Sequence, residues 1–91
     1  MPKITVAVYT TLRDKLGFSR KDFEGKNLGE IIKAVCSLKN GMSNILLEND
    51  EKIKNHFVLT LNSRIIDNSS FSKIKVKDGD IFHIFPPVSG G

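Results

Sequence analysis

The two most apolar strand-like segments of this chain lie near its opposite ends, and their positions constrain the fold more than any other feature. Residues 4–9 alternate in character and are rich in β-branched side chains, while residues 81–85 are mostly apolar or aromatic and are followed by Pro86. Such runs predict strands. Because the most apolar strands of a sheet are those it buries, we expect these two to be central, parallel neighbours. Alternation places Ile4, Val6 and Val8 towards the core and Tyr9 on the opposite face.

Between these strands, one segment has the periodicity of an amphipathic helix. Asn27 is a favoured N-cap residue, and Glu30 three positions later has the spacing of a capping box. The apolar residues that follow recur at helical spacing, and they are Leu28, Ile31, Ile32, Val35 and Leu38. The pair Asn40-Gly41 is typical of a helix end. The pattern predicts one long helix that begins after Asn27 and ends at this pair.

Shorter segments complete the predicted fold. Residues 20–24, 56–61 and 64–66 read as strands, residues 10–19 as a polar connection, and residues 43–55 have no single assignment. The order β-β-α-β-β-β, with a mixed sheet packed on one main helix, is an α+β layout. We assign one domain to residues 1–87 and a flexible tail to residues 88–91.

Composition excludes several classes of protein. The chain has 91 residues, which suits one small domain, and no apolar run approaches membrane-spanning length. The N-terminus lacks the pattern of a signal peptide. A single cysteine, Cys36, leaves no internal disulfide or Cys-only metal cluster, and the acidic group around Glu48 lacks the spacing of a calcium loop. We therefore expect a cytoplasmic protein with no membrane partner and no metal site.

The net charge of +4 comes from eleven lysines and three arginines that are scattered along the chain. Nucleic-acid sites favour arginine, clustering and interleaved aromatic residues. The densest cluster, residues 73–77, is followed at once by Asp78 and Asp80. We expect a solvated lysine-rich surface with no nucleic-acid partner, although a basic face can attract an acidic protein.

The last six residues are Pro86, Pro87, Val88, Ser89, Gly90 and Gly91. The prolines fix φ and lack N–H groups, so they end strand pairing and direct the following residues away from the sheet. The glycines have no side chain to pack and can enter a narrow channel in another protein. This pattern predicts that the carboxylate of Gly91 is the functional group.

Three segments together resemble the MoaD/ThiS sulfur-carrier family, most closely its MoaD branch, the small subunits of molybdopterin synthase. They are residues 8–17, with Tyr9 before Leu12-Arg13-Asp14; residues 77–81, with the Asp-Gly-Asp turn; and residues 84–91, which resemble the family's C-terminal signature. The resemblance covers the whole chain. It implies the ubiquitin-like β-grasp fold.

The resemblance also implies the chemistry. An E1-like, MoeB-like enzyme would use ATP-Mg to adenylate the carboxylate of Gly91, and a sulfur donor would displace AMP to leave a thiocarboxylate. A MoaE-like large subunit of molybdopterin synthase would then receive the sulfur for the dithiolene. This chain would bind no cofactor itself, and the catalytic machinery would belong to its partners. The family suggests a heterotetramer of two small and two large subunits.

Strand alternation and motif position together indicate the partner-contacting residues. Tyr9 and Phe85 match apolar contact positions of the family, Ile65 matches one as well, and His83 lies nearby on the same face. Arg13 is a candidate for binding the partner or a tail carboxylate. Residues 86–90 would thread towards the active site of the partner. For His83, His56 and Cys36, a structural role is the simpler interpretation.

Three other functions stay open. A ubiquitin-like modifier would join Gly91 to lysines of other proteins, and a related carrier would deliver sulfur for thiazole synthesis or tRNA thiolation. A β-grasp adaptor with an inert tail would keep its function without Gly91. The Phe85-Pro86-Pro87-Val88 stretch favours the molybdopterin branch.

Overall fold

A five-stranded mixed sheet forms the centre of the structure, a computed structural model that describes residues 1–86. In chain order the elements are β1 (Lys3–Val8), α1 (Thr10–Leu16), β2 (Arg20–Glu24), α2 (Leu28–Cys36), α3 (Met42–Leu46), β3 (Leu47–Asn49), β4 (Lys52–Ile53), β5 (Val58–Leu61), β6 (Arg64–Ile66), a 3₁₀ turn (Phe71–Lys73) and β7 (Ile81–Phe85). The five-stranded sheet has the order β2-β1-β7-β5-β6, while β3 and β4 form a separate pair.

The two terminal strands are central, as predicted. β1 and β7 run parallel with Val6 opposite Phe82, and β2 and β5 flank them in antiparallel orientation. Both central strands bury their inward side chains completely or nearly so, and these include Val6, Phe82 and Ile84. The predicted α+β arrangement of a mixed sheet on a main helix is therefore confirmed.

Helix α2 begins as the capping pattern predicted. The side chain of Asn27 accepts a hydrogen bond from the N–H of Glu30 at 2.9 Å, and the Glu30 carboxylate accepts from the N–H of Lys26 at 2.7 Å. Four apolar residues of the helix face the sheet and are buried, and they are Leu28, Ile31, Ile32 and Val35. These contacts join the sheet and the helix in one core.

The predicted end of this helix is wrong. Helix α2 ends at Cys36, and the hydroxyl of the next residue, Ser37, donates to the carbonyl of Ala34. Leu38, which the helical pattern assigned to the apolar face, is 42% exposed. Gly41, with φ of 84°, is the N-cap residue of α3 and therefore precedes a second helix instead of ending α2. Because the Ser37 hydroxyl satisfies the carbonyl of Ala34, that carbonyl does not need a partner in a further helical turn. This explains why α2 ends early.

Residues 10–19 were predicted to be a connection, but most of them form helix α1. Only Leu12 and Leu16 of this helix are buried, one turn apart, and its end at Gly17 adopts a φ of 85°. The N–H of Gly17 donates to the carbonyl of Arg13 at 2.8 Å. Two apolar residues in seven give too short a pattern to predict a helix. Burial against the sheet stabilises it instead.

Two further segments differ in detail from the predictions. Residues 43–55, which had no single assignment, contribute α3 and the short pair β3 and β4. The strand predicted for residues 56–61 begins only at Val58. No helix of the described residues is long and apolar enough to cross a membrane.

Asn62 joins the β5–β6 hairpin to the start of β7. Its φ is 59°, in the left-handed region that asparagine tolerates better than most residues. Its N–H donates to the carbonyl of Ile81 at 2.7 Å, and its side-chain oxygen accepts from the N–H of Ile81 at 3.0 Å. The Asn62 side chain therefore pins the hairpin to the central strand.

Candidate functional site

The candidate site lies on the face of the sheet opposite α2. The strand registers align Ala7 with His83, His83 with Thr60, and Thr60 with Ile65, so these residues form one row across four strands. Ala7 lies on this face and is fully buried. The two residues that pair with it, Arg20 and His83, are much larger than alanine and flank it on either side. The centre of this face is therefore already covered by side chains.

Three rings stack on this face, one of them His83 of the row, and we call Tyr9, His83 and Phe85 the aromatic cluster. The centroids of Tyr9 and Phe85 are 4.7 Å apart, with an interplanar angle of 6°. His83 lies 5.9 Å from Tyr9 and 5.7 Å from Phe85, also nearly parallel to both. Stacked rings at these distances attract each other beyond the burial of their area. All three rings are only half-buried, so the cluster presents a preformed apolar surface to solvent.

A hydrogen bond holds two members of the cluster together. The hydroxyl of Tyr9 and Nδ1 of His83 are 2.6 Å apart. Partial burial lowers the pKa of His83 below its ordinary value of 6.5, and the nearby charge of Arg20 lowers it further. The imidazole is therefore neutral at pH 7. In the tautomer with the proton on Nε2, Nδ1 accepts from the Tyr9 hydroxyl.

The backbone around Tyr9 fixes the position of its ring. Tyr9 lies in extended conformation between β1 and α1, and its carbonyl accepts from the N–H of Leu12 at 3.2 Å. Thr10 then adopts a φ of 47°. A β-branched residue with positive φ is strained by about 1–3 kcal/mol and persists only where its surroundings enforce it. The burial of Leu12 and Leu16 in α1 supplies that enforcement, so the unpredicted helix α1 positions Tyr9.

The predicted site residues are only partly brought together. Tyr9 and Phe85 are in contact, whereas Ile65 is on the same face but separated from β7 by strand β5, about 10 Å away at the usual strand spacing. Ile65 is 76% exposed, the largest exposure of an aliphatic side chain on this face. Arg13 is exposed on α1, immediately after the strained turn.

Val58 also belongs to this face, although it was not among the predicted partner-contacting residues. It lies directly opposite Phe85 across the β5–β7 pair and is 47% exposed. The signal was present in the sequence, because alternation places Val58 on the face of Thr60. The face therefore offers apolar contacts on three strands and the β1–α1 turn.

Of the residues predicted to thread into a partner, the structure describes Pro86. Pro86 directly follows Phe85 and is half-buried. The remaining tail residues of the prediction lie outside the described residues, and they are Pro87, Val88, Ser89, Gly90 and Gly91. The chain therefore leaves β7 beside the aromatic cluster.

The other reactive side chains do not join this face. Cys36 is half-buried at the end of α2, and burial raises the pKa of its thiol. His56 is exposed and its ring lies against that of Phe57, with 4.5 Å between centroids. Within residues 1–86 no group of three His, Cys, Asp or Glu side chains could hold a metal ion.

Comparison with known proteins agrees with this architecture. The model of the ThiS family matches residues 6–91. A chain of the crystal structure of the BexX/CysO complex of Amycolatopsis orientalis is 31% identical, with a TM-score of 0.80, and the match covers 97% of this chain and 99% of that one. No curated protein sequence matches this chain.

Two more distant structures show the fold alone. The solution structure of the small archaeal modifier protein 1 (SAMP1) of Methanosarcina acetivorans is 23% identical with a TM-score of 0.80, covering 100% of this chain and 98% of that one. The putative molybdopterin converting factor, subunit 1, of Pyrococcus furiosus is 19% identical with a TM-score of 0.71, covering 97% and 100%. The predicted ubiquitin-like β-grasp fold is confirmed.

Proposed function

This chain belongs to the ThiS family of ubiquitin-like sulfur carriers, and from that premise we propose that it carries sulfur as a thiocarboxylate on Gly91. We further propose that the sulfur is delivered to the precursor of the molybdopterin dithiolene, with this chain as the small subunit of molybdopterin synthase. The match of the family model extends through Gly91, the residue to which the chemistry is assigned.

The proposed chemistry begins with a poor electrophile. A carboxylate resists attack because its charge is delocalised and its oxygen is a poor leaving group. An E1-like enzyme uses ATP-Mg to convert the Gly91 carboxylate to an acyl-adenylate with release of pyrophosphate. Sulfide (HS⁻) supplied by a sulfur donor then attacks the carbonyl carbon, and AMP leaves as the carbon–sulfur bond replaces the carbon–oxygen bond to phosphate. The resulting thiocarboxylate is a strong, soft nucleophile that the large subunit directs to its substrate.

The aromatic cluster is the observation that carries this proposal. Threading residues 88–91 into a partner costs about 1–2 kcal/mol of backbone entropy for each residue. Those residues have few side chains to offset that cost, so the folded body must dock first. A well-buried apolar anchor contributes about 1.5–3 kcal/mol. Ile65 offers such an anchor, Tyr9 and Phe85 offer the exposed part of two stacked rings, and Phe85 directly precedes Pro86.

The docking face is preformed, which favours binding. The rings of Tyr9, His83 and Phe85 are already stacked, and the Tyr9–His83 hydrogen bond restricts two of them. A partner therefore does not have to order these side chains, which otherwise costs about 0.5–1.5 kcal/mol for each one. We propose that both the MoaE-like large subunit and the MoeB-like enzyme use this face in turn, and that Arg13 contacts the partner at its border.

The molybdopterin branch is favoured by the residues that surround the tail. Phe85, Pro86, Pro87 and Val88 match the signature that the MoaD resemblance implies. The name of the Pyrococcus furiosus neighbour, a putative molybdopterin converting factor subunit, agrees with this assignment. A heterotetramer with two large subunits is the assembly that we propose.

A second candidate is a ubiquitin-like protein modifier, and it is supported by the name of the Methanosarcina neighbour. In this function Gly91 forms an isopeptide bond with a lysine of another protein. The BexX/CysO complex raises a further possibility, a carrier that works with a different partner protein. All of these functions share activation at Gly91, so they separate only at the acceptor.

Mass spectrometry of the C-terminal peptide tests the shared step. The chain is co-expressed with its adenylating enzyme and a sulfur donor, and the peptide is analysed after digestion. Using the peptide matters because oxidation of Met1, Met42 or Cys36 adds nearly the mass of an oxygen-to-sulfur exchange. Sulfur on Gly91 supports the carrier. An unmodified carboxylate, when a known carrier is charged in parallel, overturns it.

Two variants and the acceptor complete the test. Removal of Gly91, or addition of one residue after it, is expected to abolish charging while the domain stays folded. Dithiolene formation on a cyclic pterin precursor with the large subunit identifies the molybdopterin function. Peptides in which Gly91 of this chain is joined to a lysine of another protein, with no dithiolene product, identify the modifier instead.

A further inference from the structure

A second surface of the molecule is strongly basic and is unrelated to the aromatic cluster. We call Lys26, Arg64, Lys73, Lys75 and Lys77 the basic strip, and all five side chains are exposed. Arg64, Lys75 and Lys77 line an open groove of about 800 Å³ between β6 and the segment before β7. Lys26, Lys73 and Lys75 line a neighbouring groove of about 570 Å³. Lys75 belongs to both grooves, so the strip is continuous.

Backbone contacts bring the strip together from three separate parts of the chain. Residues 74–76 run beside the start of α2. The N–H of Val76 donates to the carbonyl of Lys26 at 3.2 Å, and Asn27 forms an isolated β-bridge with Lys75. Asn62 and Asp80 are joined by a side-chain hydrogen bond of 3.2 Å, which ties the β5–β6 hairpin to the turn after Lys77. The lysine cluster at residues 73–77 thus gains Lys26 on one side and Arg64 on the other.

The acidic side chains of the grooves are already engaged with the chain's own donors. Two carboxylates line the larger groove, those of Asp67 and Asp80. Asp67 accepts from the N–H and hydroxyl of Ser69, and Asp80 accepts from the N–H of Lys77 and from Asn62. No carboxylate lines the smaller groove. Five cations therefore face two carboxylates, and the surface is complementary to negative charge.

The floor of the grooves selects among anionic partners. Ile65 and Ile74 line the larger groove, and Pro2 and Val76 line the smaller one. No aromatic side chain of residues 1–86 lines either groove, and four of the five cations are lysines. Nucleic-acid sites rely on arginine and on aromatic rings for stacking. Apolar surface beside lysines fits a protein segment in which apolar and acidic residues alternate.

We propose that the basic strip and its two grooves bind an extended acidic segment of a partner protein. Lys75 and Lys77 are two positions apart on extended chain, which separates them by about 6–7 Å. Carboxylates at alternate positions of a strand-like segment have the same spacing, and its apolar residues face Ile65 or Val76. Such a segment binds at one end of β7, because Asp80 at the groove precedes Ile81.

This surface is separate from the aromatic cluster. Strand β7 begins beside the larger groove and ends at Phe85, about 13 Å away at the usual rise per residue. A partner held by the basic strip therefore leaves the Phe85 end of the strand accessible. The proposal does not depend on sulfur transfer, since none of the five cations of the strip is assigned to that chemistry; the larger groove and the proposed docking face share only Ile65.

Chemical-shift mapping on the full chain tests the proposal. The probe is a short synthetic peptide in which aspartate alternates with valine. The comparison probes are the lysine–valine counterpart and oligothymidylate. We expect the acidic peptide alone to shift the amide signals of residues 61–67 and 74–80, and its affinity to fall as salt screens the charges. Absence of shifts there overturns the proposal, and tighter binding of oligothymidylate at the same residues replaces it with a nucleic-acid site.

Charge reversal provides the matched comparison. Lys75→Glu with Lys77→Glu is expected to weaken peptide binding about tenfold or more at low salt, because two attractive contacts become repulsive. Lys21→Glu with Lys39→Glu makes the same change of net charge at exposed sites outside the grooves and is expected to have little effect. Lys75→Gln with Lys77→Gln is expected to give an intermediate loss of peptide affinity. Because it places no new negative charge near Asp80, it also controls for misfolding of the glutamate variant. Equal losses in the groove and control variants overturn the proposal.

Discussion

The two faces of strand β7 contribute differently to the molecule. Phe82 and Ile84 face α2 and are completely buried, whereas His83 and Phe85, on the other face, are half-buried. Strand β6 repeats the contrast, since Ile66 is 6% exposed and its neighbour Ile65 is 76% exposed. A side chain already removed from water cannot gain further by docking. Stability therefore comes mainly from the inner face, and the outer face keeps apolar area that a partner can bury.

The largest expected effect is a difference in the free energy of unfolding between substitutions on the inner and the outer face of β7. Phe82→Ala should lower the free energy of unfolding by about 3–5 kcal/mol, because it removes a buried ring and leaves a cavity. Phe85→Ala should cost clearly less, since its ring is partly solvated already. Urea unfolding of both variants measures the difference. Equal losses would mean that the outer face is also part of the stabilising core.

The second prediction concerns docking. Phe85→Asp should reduce affinity for the adenylating enzyme by about 2 kcal/mol or more, roughly thirtyfold, because it places a charge among desolvated anchors. Ile65→Asp is the matched change two strands away, and we expect a smaller loss because Ile65 lies apart from the aromatic cluster. Titration calorimetry gives both affinities. Unchanged affinity for Phe85→Asp contradicts the proposed docking face.

A smaller effect is expected within the aromatic cluster. Tyr9→Phe removes the hydrogen bond to His83 and keeps the stacked ring, so the free energy of unfolding should fall by about 0.5–1.5 kcal/mol. A double-mutant cycle with His83→Phe, whose ring cannot hydrogen-bond the hydroxyl, isolates the interaction of the pair. Additive losses in the double variant would show that the hydroxyl and the imidazole do not stabilise each other.

The smallest effect is one of pH. Because the pKa of His83 is lowered by folding, the folded protein disfavours the protonated ring. Above pH 6.5 this group does not affect the free energy of unfolding. The free energy of unfolding declines as the pH falls from 6.5 to the lower pKa of the folded state. NMR titration should show the His83 ring ionising below pH 6.5. Arg20→Gln should move the pKa of His83 upwards, and a downward shift would contradict the assigned repulsion.

The sequence predicted those features that local patterns encode. The parallel pairing of β1 with β7 followed from two apolar runs, and the start of α2 followed from Asn27 and Glu30. Helix α1 was missed because Leu12 and Leu16 form too short a pattern, and its formation depends on the sheet that buries them. The end of α2 was misplaced because the Asn40-Gly41 signal belongs to the start of α3.

The two candidate sites were also predicted only in part from the sequence. Alternation placed Tyr9 and Phe85 on one face, but no pattern predicts ring centroids 4.7 Å apart or the bond to His83. These distances depend on the strained turn at Thr10 and on the register of β1 with β7. Likewise, the lysines at residues 73–77 were visible as a cluster, while Lys26 and Arg64 joined it only through the fold.

By itself, the sequence determined the class of fold, the central strands, the main helix and the resemblance that led to the family. Periodicity and capping are local properties, so neighbouring residues encode them. Only the tertiary structure decided which side chains lie close together, since Tyr9 and His83 form a hydrogen bond and Lys26 and Arg64 flank one lysine cluster although each pair is far apart in the chain. Long-range pairing and burial bring them together, and those contacts depend on the packing of the whole domain.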